Sequence, residues 1–405
     1  MKSHLDYISA RDLLLNRVTP LGTERVMLTE AYGRVLAHDL LAQEDVPAFD
    51  RSPYDGYAVR AADTADASEN HPVTLRVVEE IPAGAVPEKV ITAGTAAKIL
   101  TGAPIPSGAD AVINYEATEF TAESVTLFAP LASGKNVVCR GEDVRRGALL
   151  AAAGTVIDPS LCGTLAAQGV MQPEVYRVPR VAVFSTGNEV IEPDAPAHEG
   201  CIRNSNGYTL CAALKEIGLS PVYMGIVRDD SAEIAEMLEK ALDFCDAVVT
   251  SGGVSVGDYD LTPAAMEQCG TEMLFRGVAL KPGMACAYGM KNGKLICALS
   301  GNPASSLINL IAVAMPALKK LAGRANPLPQ EIDAVLRDGF SKRSGATRLL
   351  HGRIVMNGGR AELVPSSGQG NVMISRMVGS NAFGVIPAGS GPIAAGTALK
   401  CFLVE

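Results

Sequence analysis

The chain has 405 residues, of which 48% are hydrophobic and 20% charged, with a formal net charge of -9. That length calls for more than one core, with two to four domains expected, and the composition excludes a disordered chain. The acidic balance, the absence of Trp and an aromatic content of 5% exclude a general nucleic-acid binder, which needs massed Lys and Arg and stacking faces; a small anion held in a locally electropositive loop stays compatible with it.

Residues 1–45 read as helix, short strand, helix. Leu5, Ile8, Leu13 and Leu15 make an apolar stripe, and "ERVMLTEAYGRVLAHDLLA" joins a short strand to a second predicted helix. The first segment carries Asp6 and Asp12 and lacks the apolar core of a signal peptide, so a cytoplasmic location is expected. From 46 to 140, alternating runs such as "VTLRVVEEI", "TAAKILTG", "DAVINYEATEF" and "SVTLFAP" stand between Gly and Pro clusters and predict a β-rich module. Residues 141–176 return to mixed strand and helix.

A new regime opens with "PRVAVFSTGNEV". Strands predicted at 180–185, 222–227 and 246–250 alternate with helices at 204–217 and 230–243. Asp230 and Glu233 have the spacing of a capping box, and Ile234, Met237, Leu238, Ala241 and Leu242 share one helical face. Such alternation predicts a parallel sheet with helices on both faces. "LICALSGNPASSLINLIAVAMPALKKLAG" closes the unit with a buried strand and a long helix that has Pro303 in its first turn. Its apolar run, Leu307 to Leu318, is broken by Asn309 and Pro316 and falls short of the roughly 20 residues of a membrane span, so no membrane contact is expected. The tail, 330–405, is again all β, with a hairpin turning at Asn357-Gly358-Gly359 and a last strand in "ALKCFLVE". The nine cysteines are odd in number and contain no CxxC, and the five histidines are scattered; this pattern predicts free thiols in a reducing compartment and no zinc site.

Ligands of an open parallel sheet bind beyond the carboxyl ends of its strands. Three polar loops fall there: "STGNE" (185–189), "RDD" (228–230) and "SGGVSVGDYD" (251–260). Each combines glycine or hydroxyl groups with a carboxylate. Glycines such as Gly252 and Gly253 let backbone N–H groups approach an anion, and Ser251 and Ser255 add donors. A carboxylate repels a phosphate, so Glu189, Asp229 and Asp260 make sense beside it if Mg²⁺ bridges them. One glycine-rich loop is often only a tight turn; three at one sheet edge predict a site. "LKPGMACAYG" and "SGNPASS" add Lys281, Gly301, Asn302 and Ser305 to that edge, the latter at the start of a helix suited to an oxyanion. Neither GxGxxG nor GxxxxGK[ST] occurs, so no dinucleotide site or P-loop is expected.

"SPYDGYA" (52–58), "TGAPIPSGADAVI" (101–113), "RGED" (140–143), "STGNE", "SGGVSVGDYD", "KPG" and "SGNPAS" occur in the order found in molybdopterin molybdenumtransferases. The chain resembles this family, the MoeA family, which includes the E domain of gephyrin, over nearly its whole length. The resemblance implies an α/β multidomain protein. A central doubly wound α/β domain at 177–326 would be similar to molybdopterin adenylyltransferase. A β-rich domain at 46–140 would be inserted between the halves, 1–45 and 141–176, of a mixed N-terminal domain, and 327–405 would form a C-terminal β-barrel. It implies a homodimer that inserts molybdate into adenylyl-molybdopterin and releases AMP with Mg²⁺, a molybdopterin adenylyltransferase being a candidate partner. The site would combine the central domain of one subunit with N-terminal segments of the other. Position by position, Asp55, Thr101, Asp143, Glu189, Asp229 and Asp260 match the family's functional acids and threonine, Lys281 and Ser305 match loops of oxyanion contact, and Ser375 of "MISRM" matches a serine of the tail. Met284, Ser300 and Arg376 depart from the family pattern, standing where a second basic residue, a proline and a second serine are usual.

Three readings follow from these residues. The first is the molybdenumtransferase, with molybdate or tungstate as its oxyanion. The second is a nucleotide pyrophosphatase or adenylyltransferase-like enzyme, whose relatives would match 178–325 alone. The third is a dimeric scaffold, which would have no need of acids at three loop ends.

Overall fold

The computed structural model describes residues 2–255 and 261–404. Its contacts divide the chain into two units. Met1–His38, Ala153–Pro159 and Gln172–Glu405 form one, and Asp39–Ala152 with Ser160–Met171 form the other.

The first unit is built on a seven-stranded sheet. Its strands lie side by side in the order Lys2–Leu5, Glu272–Val278, Cys286–Lys291, Lys294–Leu299, Ala247–Ser251, Arg180–Thr186 and Ser220–Val227. The last four run parallel. The expected parallel sheet carries an exception at Cys286–Lys291, which is antiparallel to both neighbours. The cause is local: Asn292 and Gly293, both at positive φ, turn the chain directly from Lys291 to its partner Lys294. A two-residue turn returns a strand antiparallel, whereas a parallel neighbour needs a crossover.

Strand periodicity distributes the core over two faces. Val181 and Val183 join one apolar cluster with Leu210, Leu214 and Leu318; Ala182 and Phe184 join the other with Ile234, Leu238 and Ala265. Helices therefore cover both faces, as the strand–helix alternation predicts. Helix Ser231–Phe244 begins where expected, with the Asp230 carboxylate accepting from the N–H groups of Ala232 and Glu233 at 2.8 and 3.0 Å. The reciprocal half of the capping box is not formed, because the Asp230 N–H donates to the Arg228 carbonyl instead.

The helical stretch Pro303–Leu321 is apolar and long enough to cross a membrane, yet 89% of it is buried inside the protein, where it serves as a core helix. It widens to a π-helical turn at Leu310–Ala314, just ahead of Pro316. A proline has no N–H for the helical ladder and crowds the preceding turn, and the wider turn accommodates both effects.

The tail closes into a barrel. Strand Thr347–Asn357 pairs with Arg360–Pro365 on one side and Ala382–Ile386 on the other, and the ring continues through Ala398–Leu403 and Glu331–Leu336 back to Arg360–Pro365. Leu336, Leu350, Leu363, Ile386 and Cys401 fill its core. The second unit carries a six-stranded sheet between Gly56 and Leu127 around Tyr57, Leu75 and Leu127.

One predicted element is absent. Residues 31–39, expected to continue into a helix, are not helical. Gly33 adopts a φ of 76°, and Val35 and Leu36 form extended bridges to Val156 and Val175. The N–H groups of Gly33 and Leu36 donate to the carbonyls of Ile157 and Thr155 at 2.8 and 2.9 Å. Distant extended partners thus take the backbone groups a helix would have used.

Candidate active site

The carboxyl ends of strands Arg180–Thr186 and Ala247–Ser251 open into a cleft of about 670 Å³. Seven residues expected at the site line it: Glu189, Asp229, Ser251, Gly252, Gly253, Gly301 and Asn302. Parallel strands place "STGNE", "RDD", the start of "SGGVSVGDYD" and "GNP" at one rim because each loop follows a carboxyl end of the same sheet. Ser255 is exposed, and Asp260 lies outside the described residues.

The loops at the acidic rim clasp one another. The Asn188 N–H donates to the Asp229 carboxylate at 3.1 Å, and the Asp229 N–H donates to the Asn188 side-chain oxygen at 3.3 Å. Glu189 is exposed at the same rim. At the floor, Gly252 runs so close to its neighbour that a side-chain carbon there would fall 2.5 Å from both the carbonyl and the hydroxyl oxygen of Thr186.

Ser251 is not a free donor. Its hydroxyl donates to the Ser300 carbonyl at 3.0 Å and accepts from Asn206 Nδ2 at 2.7 Å. It therefore braces the floor rather than presenting a hydrogen to the cleft. Ser300 uses its own hydroxyl to accept the Asn302 N–H at 3.2 Å.

Sequence reasoning missed one segment of the lining. Arg203, Asn204, Ser205 and Asn206 all line the cleft, and Thr186 joins them from the predicted "STGNE" loop. The signal was present in "RNSN", a run of four polar residues leading into an apolar helix. Asn204 is fixed by Ser185, by the Gly207 N–H and by Tyr223, and the Tyr223 hydroxyl in turn donates to Glu192 at 2.6 Å. Burial, then the Glu192 carboxylate, raise the Tyr223 phenol far above its usual range, so it stays protonated and keeps donating. Arg203 donates to the carbonyls of Pro193 and Ala195.

The "KPG" and "SGNPASS" motifs meet, but not as a free loop facing a free helix end. Leu280–Lys281 is a short strand beside Thr347 and Arg348, and Lys281 is not among the residues lining the cleft. Gly283 packs on the first turn of the helix: a side-chain carbon on it would lie 3.3 Å from the Ser305 carbonyl, and its own carbonyl accepts from Asn309 Nδ2 at 2.5 Å. Asn309 is completely buried and also accepts from the Tyr288 hydroxyl. The Ser305 N–H, expected to face an oxyanion, donates to the Asn371 carbonyl at 3.2 Å, and neighbouring Val372 lines the cleft. Ser375 follows in an exposed 3₁₀ turn, Ile374–Met377. Met284 is exposed, and Arg376 donates to the Ser367 hydroxyl at 3.3 Å.

In the second unit, two motifs far apart in sequence are joined directly. The Asp55 carboxylate accepts from the Thr101 N–H at 2.7 Å and from its hydroxyl at 2.8 Å. These bonds, the backbone one first, hold Asp55 below the usual carboxylate range. Asp143 is exposed, and its N–H donates to the Val46 carbonyl.

Comparisons with known proteins match the chain along its length. Residues 5–169 fit the family model "MoeA N-terminal region (domain I and II)", 182–320 the "Probable molybdopterin binding domain", and 333–403 the "MoeA C-terminal region (domain IV)". A molybdopterin molybdenumtransferase of Bacillus subtilis is 35% identical over 95% of this chain and 90% of its own. One from Staphylococcus aureus is 32% identical over 97% and 94%. The crystal structure of a molybdopterin biosynthesis MoeA protein from Pyrococcus horikoshii superposes with a TM-score of 0.84 at 33% identity, covering 99% of this chain and 100% of that one. The fold is thus that of a multidomain α/β protein whose central region matches the probable molybdopterin binding domain and whose tail is a barrel. The chain belongs to the molybdopterin molybdenumtransferase (MoeA) family, whose place is in molybdenum cofactor biosynthesis.

Proposed function

We propose that this chain inserts molybdate into adenylyl-molybdopterin and releases AMP, acting as a homodimer with Mg²⁺. The observation that carries the reading is the cleft itself, where two carboxylates, Glu189 and Asp229, share a rim with the glycine floor of Ser251–Gly253 and Gly301. The family match across residues 5–169 and 333–403 counts against a pyrophosphatase or adenylyltransferase-like enzyme, which would need the central domain alone.

The donor set fits Mg²⁺. Among the described residues no group of three or more His, Cys, Asp or Glu gathers, but Mg²⁺ is commonly held by one or two carboxylates, with waters and phosphate oxygens completing six oxygens. Glu189 and Asp229 would hold it, with Asp260 as the third acid by resemblance. When bound it neutralises charge developing on the phosphoanhydride oxygens. The chain's own residues do the remaining work. Asp229 is positioned by the Asn188 N–H, and the glycine at 252 lets the floor approach Thr186 closely. Molybdate, a dianion that calls for cationic and hydroxyl donors rather than carboxylates, is assigned to Lys281, Ser305 and Ser375 on the family resemblance. Asp55 and Asp143 are assigned to catalysis, and Thr101 to substrate binding, on the family resemblance.

The test is AMP release from adenylyl-molybdopterin with Mg²⁺ and either molybdate or tungstate. Oxyanion-dependent release is expected, and both chelation of Mg²⁺ and the change Asp229→Ala should lower it at least about a hundredfold with folding retained. Turnover of ATP without pterin, or full activity of Asp229→Ala, refutes the reading.

A further inference from the structure

Most polar groups of the cleft floor are satisfied inside the protein; two are not. Asn206 Oδ1 and Thr186 Oγ1 are buried, line the cleft and have no hydrogen-bond partner among the described residues. Asn206 is 9% exposed and Thr186 4%. The amide orientation of Asn206 is set by its other end. Nδ2 donates to Ser251 Oγ at 2.7 Å and to the Gly301 carbonyl at 2.8 Å, which uses both of its hydrogens. A flipped amide would aim Oδ1 at the Gly301 carbonyl, acceptor against acceptor, so Oδ1 is the atom left over. Buried acceptors are paired in nearly all folded proteins, and an unpaired one on a residue that lines a cleft points to a ligand group as its partner.

Resting on the function proposed above, we infer that Asn206 Oδ1, together with the Thr186 hydroxyl, selects a neutral N–H or O–H donor on the substrate. An amide oxygen only accepts, so a phosphate or molybdate oxygen is repelled from it. The cleft is thereby divided. The carboxylate rim at Glu189 and Asp229 serves the phosphates through a cation, and the Asn206 end reads an uncharged donor edge. The pterin ring offers such an edge, and the adenylate offers the same chemistry in its amino group and ribose hydroxyls. A site built to bond a donor rejects the analogue that lacks it far more strongly than it rejects a change of size.

The experiment is equilibrium binding to the full chain with five probes: a pterin and its analogue dimethylated on the exocyclic nitrogen, and AMP with its N6,N6-dimethyl and 2′-deoxy analogues. In the wild type, the parent should bind at least about tenfold tighter than the blocked analogue in one arm, the worth of one hydrogen bond of typical strength. Asn206→Leu should abolish that preference and Thr186→Val reduce it. A preference lost in the pterin arm assigns the donor to the ring, and one lost in the AMP arm assigns it to the nucleotide. Asn206→Leu forfeits two internal bonds; Thr186→Val forfeits none, so it keeps the test decisive if the first variant folds poorly. Parents that bind normally with no preference, or a preference unchanged in both variants, overturn the inference alone. A wild type that binds neither parent overturns the functional reading, and this inference with it.

Discussion

A methyl group at position 252 has no room. Gly252 holds a φ of +110°, and a side-chain carbon there would sit 2.5 Å from two oxygens of Thr186, one of them backbone. A non-glycine residue in so sparse a region costs about 1–3 kcal/mol. Relieving the overlap by shifting backbone adds about 1–3 kcal/mol. Gly252→Ala should therefore destabilise the site by about 2–6 kcal/mol, taking the two costs as additive. Gly301 is the control: its φ is not positive, and the nearest atom to a new methyl would be Gly252 Cα at 3.7 Å, an ordinary contact. Gly301→Ala should stay within about 1 kcal/mol. A chain of two units does not melt as one, so the readout is local: hydrogen exchange of strand Ala247–Ser251, alongside AMP release. Protection of that strand should fall at least about thirtyfold in Gly252→Ala, the lower bound of the range at 1.4 kcal/mol per tenfold, with AMP release falling too. Wild-type protection and activity in Gly252→Ala, or equal damage from Gly301→Ala, would show that the backbone approach is not what shapes the floor.

Two further outcomes follow from charge and capping. His351 is fully buried in the barrel with Nε2 unpartnered, and burial pushes its pKa below 6.5. The unfolded chain then binds the proton first, so stability is full above about pH 6.5 and declines as pH falls through it, by at most about 1.4 kcal/mol per pH unit. Exchange of the amides in Thr347–Asn357 should quicken between pH 6.5 and 5.5 relative to His351→Gln after correction for intrinsic rates, and a pH-independent difference would dismiss this. Asp230→Ala removes the cap of helix Ser231–Phe244 and should cost about 1 kcal/mol, seen as earlier urea unfolding of that helix by exchange; no change would mean the cap is redundant.

The sequence was most legible where one physical rule acted alone. Helix Ser231–Phe244 and its Asp230 cap followed from spacing, and the rim at Glu189, Asp229 and Gly252 followed from the position of loops after strands. It was least legible where distant partners decided the outcome. Val35 and Leu36 lie in a run whose sequence reads as a helix, but they take extended partners in space. Lys281 reads as a loop cation and is a strand residue beside Arg348. Asn309 reads as an interruption in an apolar run, whereas it anchors the Gly283 carbonyl from inside the core. Ser251 reads as a ligand donor, yet its hydrogen and one of its lone pairs are spent on neighbours far along the chain. Asn206 shows the reverse, a polar residue at a helix start that only tertiary packing turns toward the cleft.

The outermost strand of the large sheet, Lys2–Leu5, lies parallel to Glu272–Val278 with Leu5 opposite Val278. Its partner leaves the ribosome about 270 residues later, a delay on the order of 15–50 s at ordinary elongation rates. Throughout that interval an early segment must wait without its mate, so the sheet is sealed after synthesis of the central region rather than during it. Slowing elongation ahead of Glu272–Val278 should lengthen the time for which this end of the nascent protein is open to chaperones and proteases.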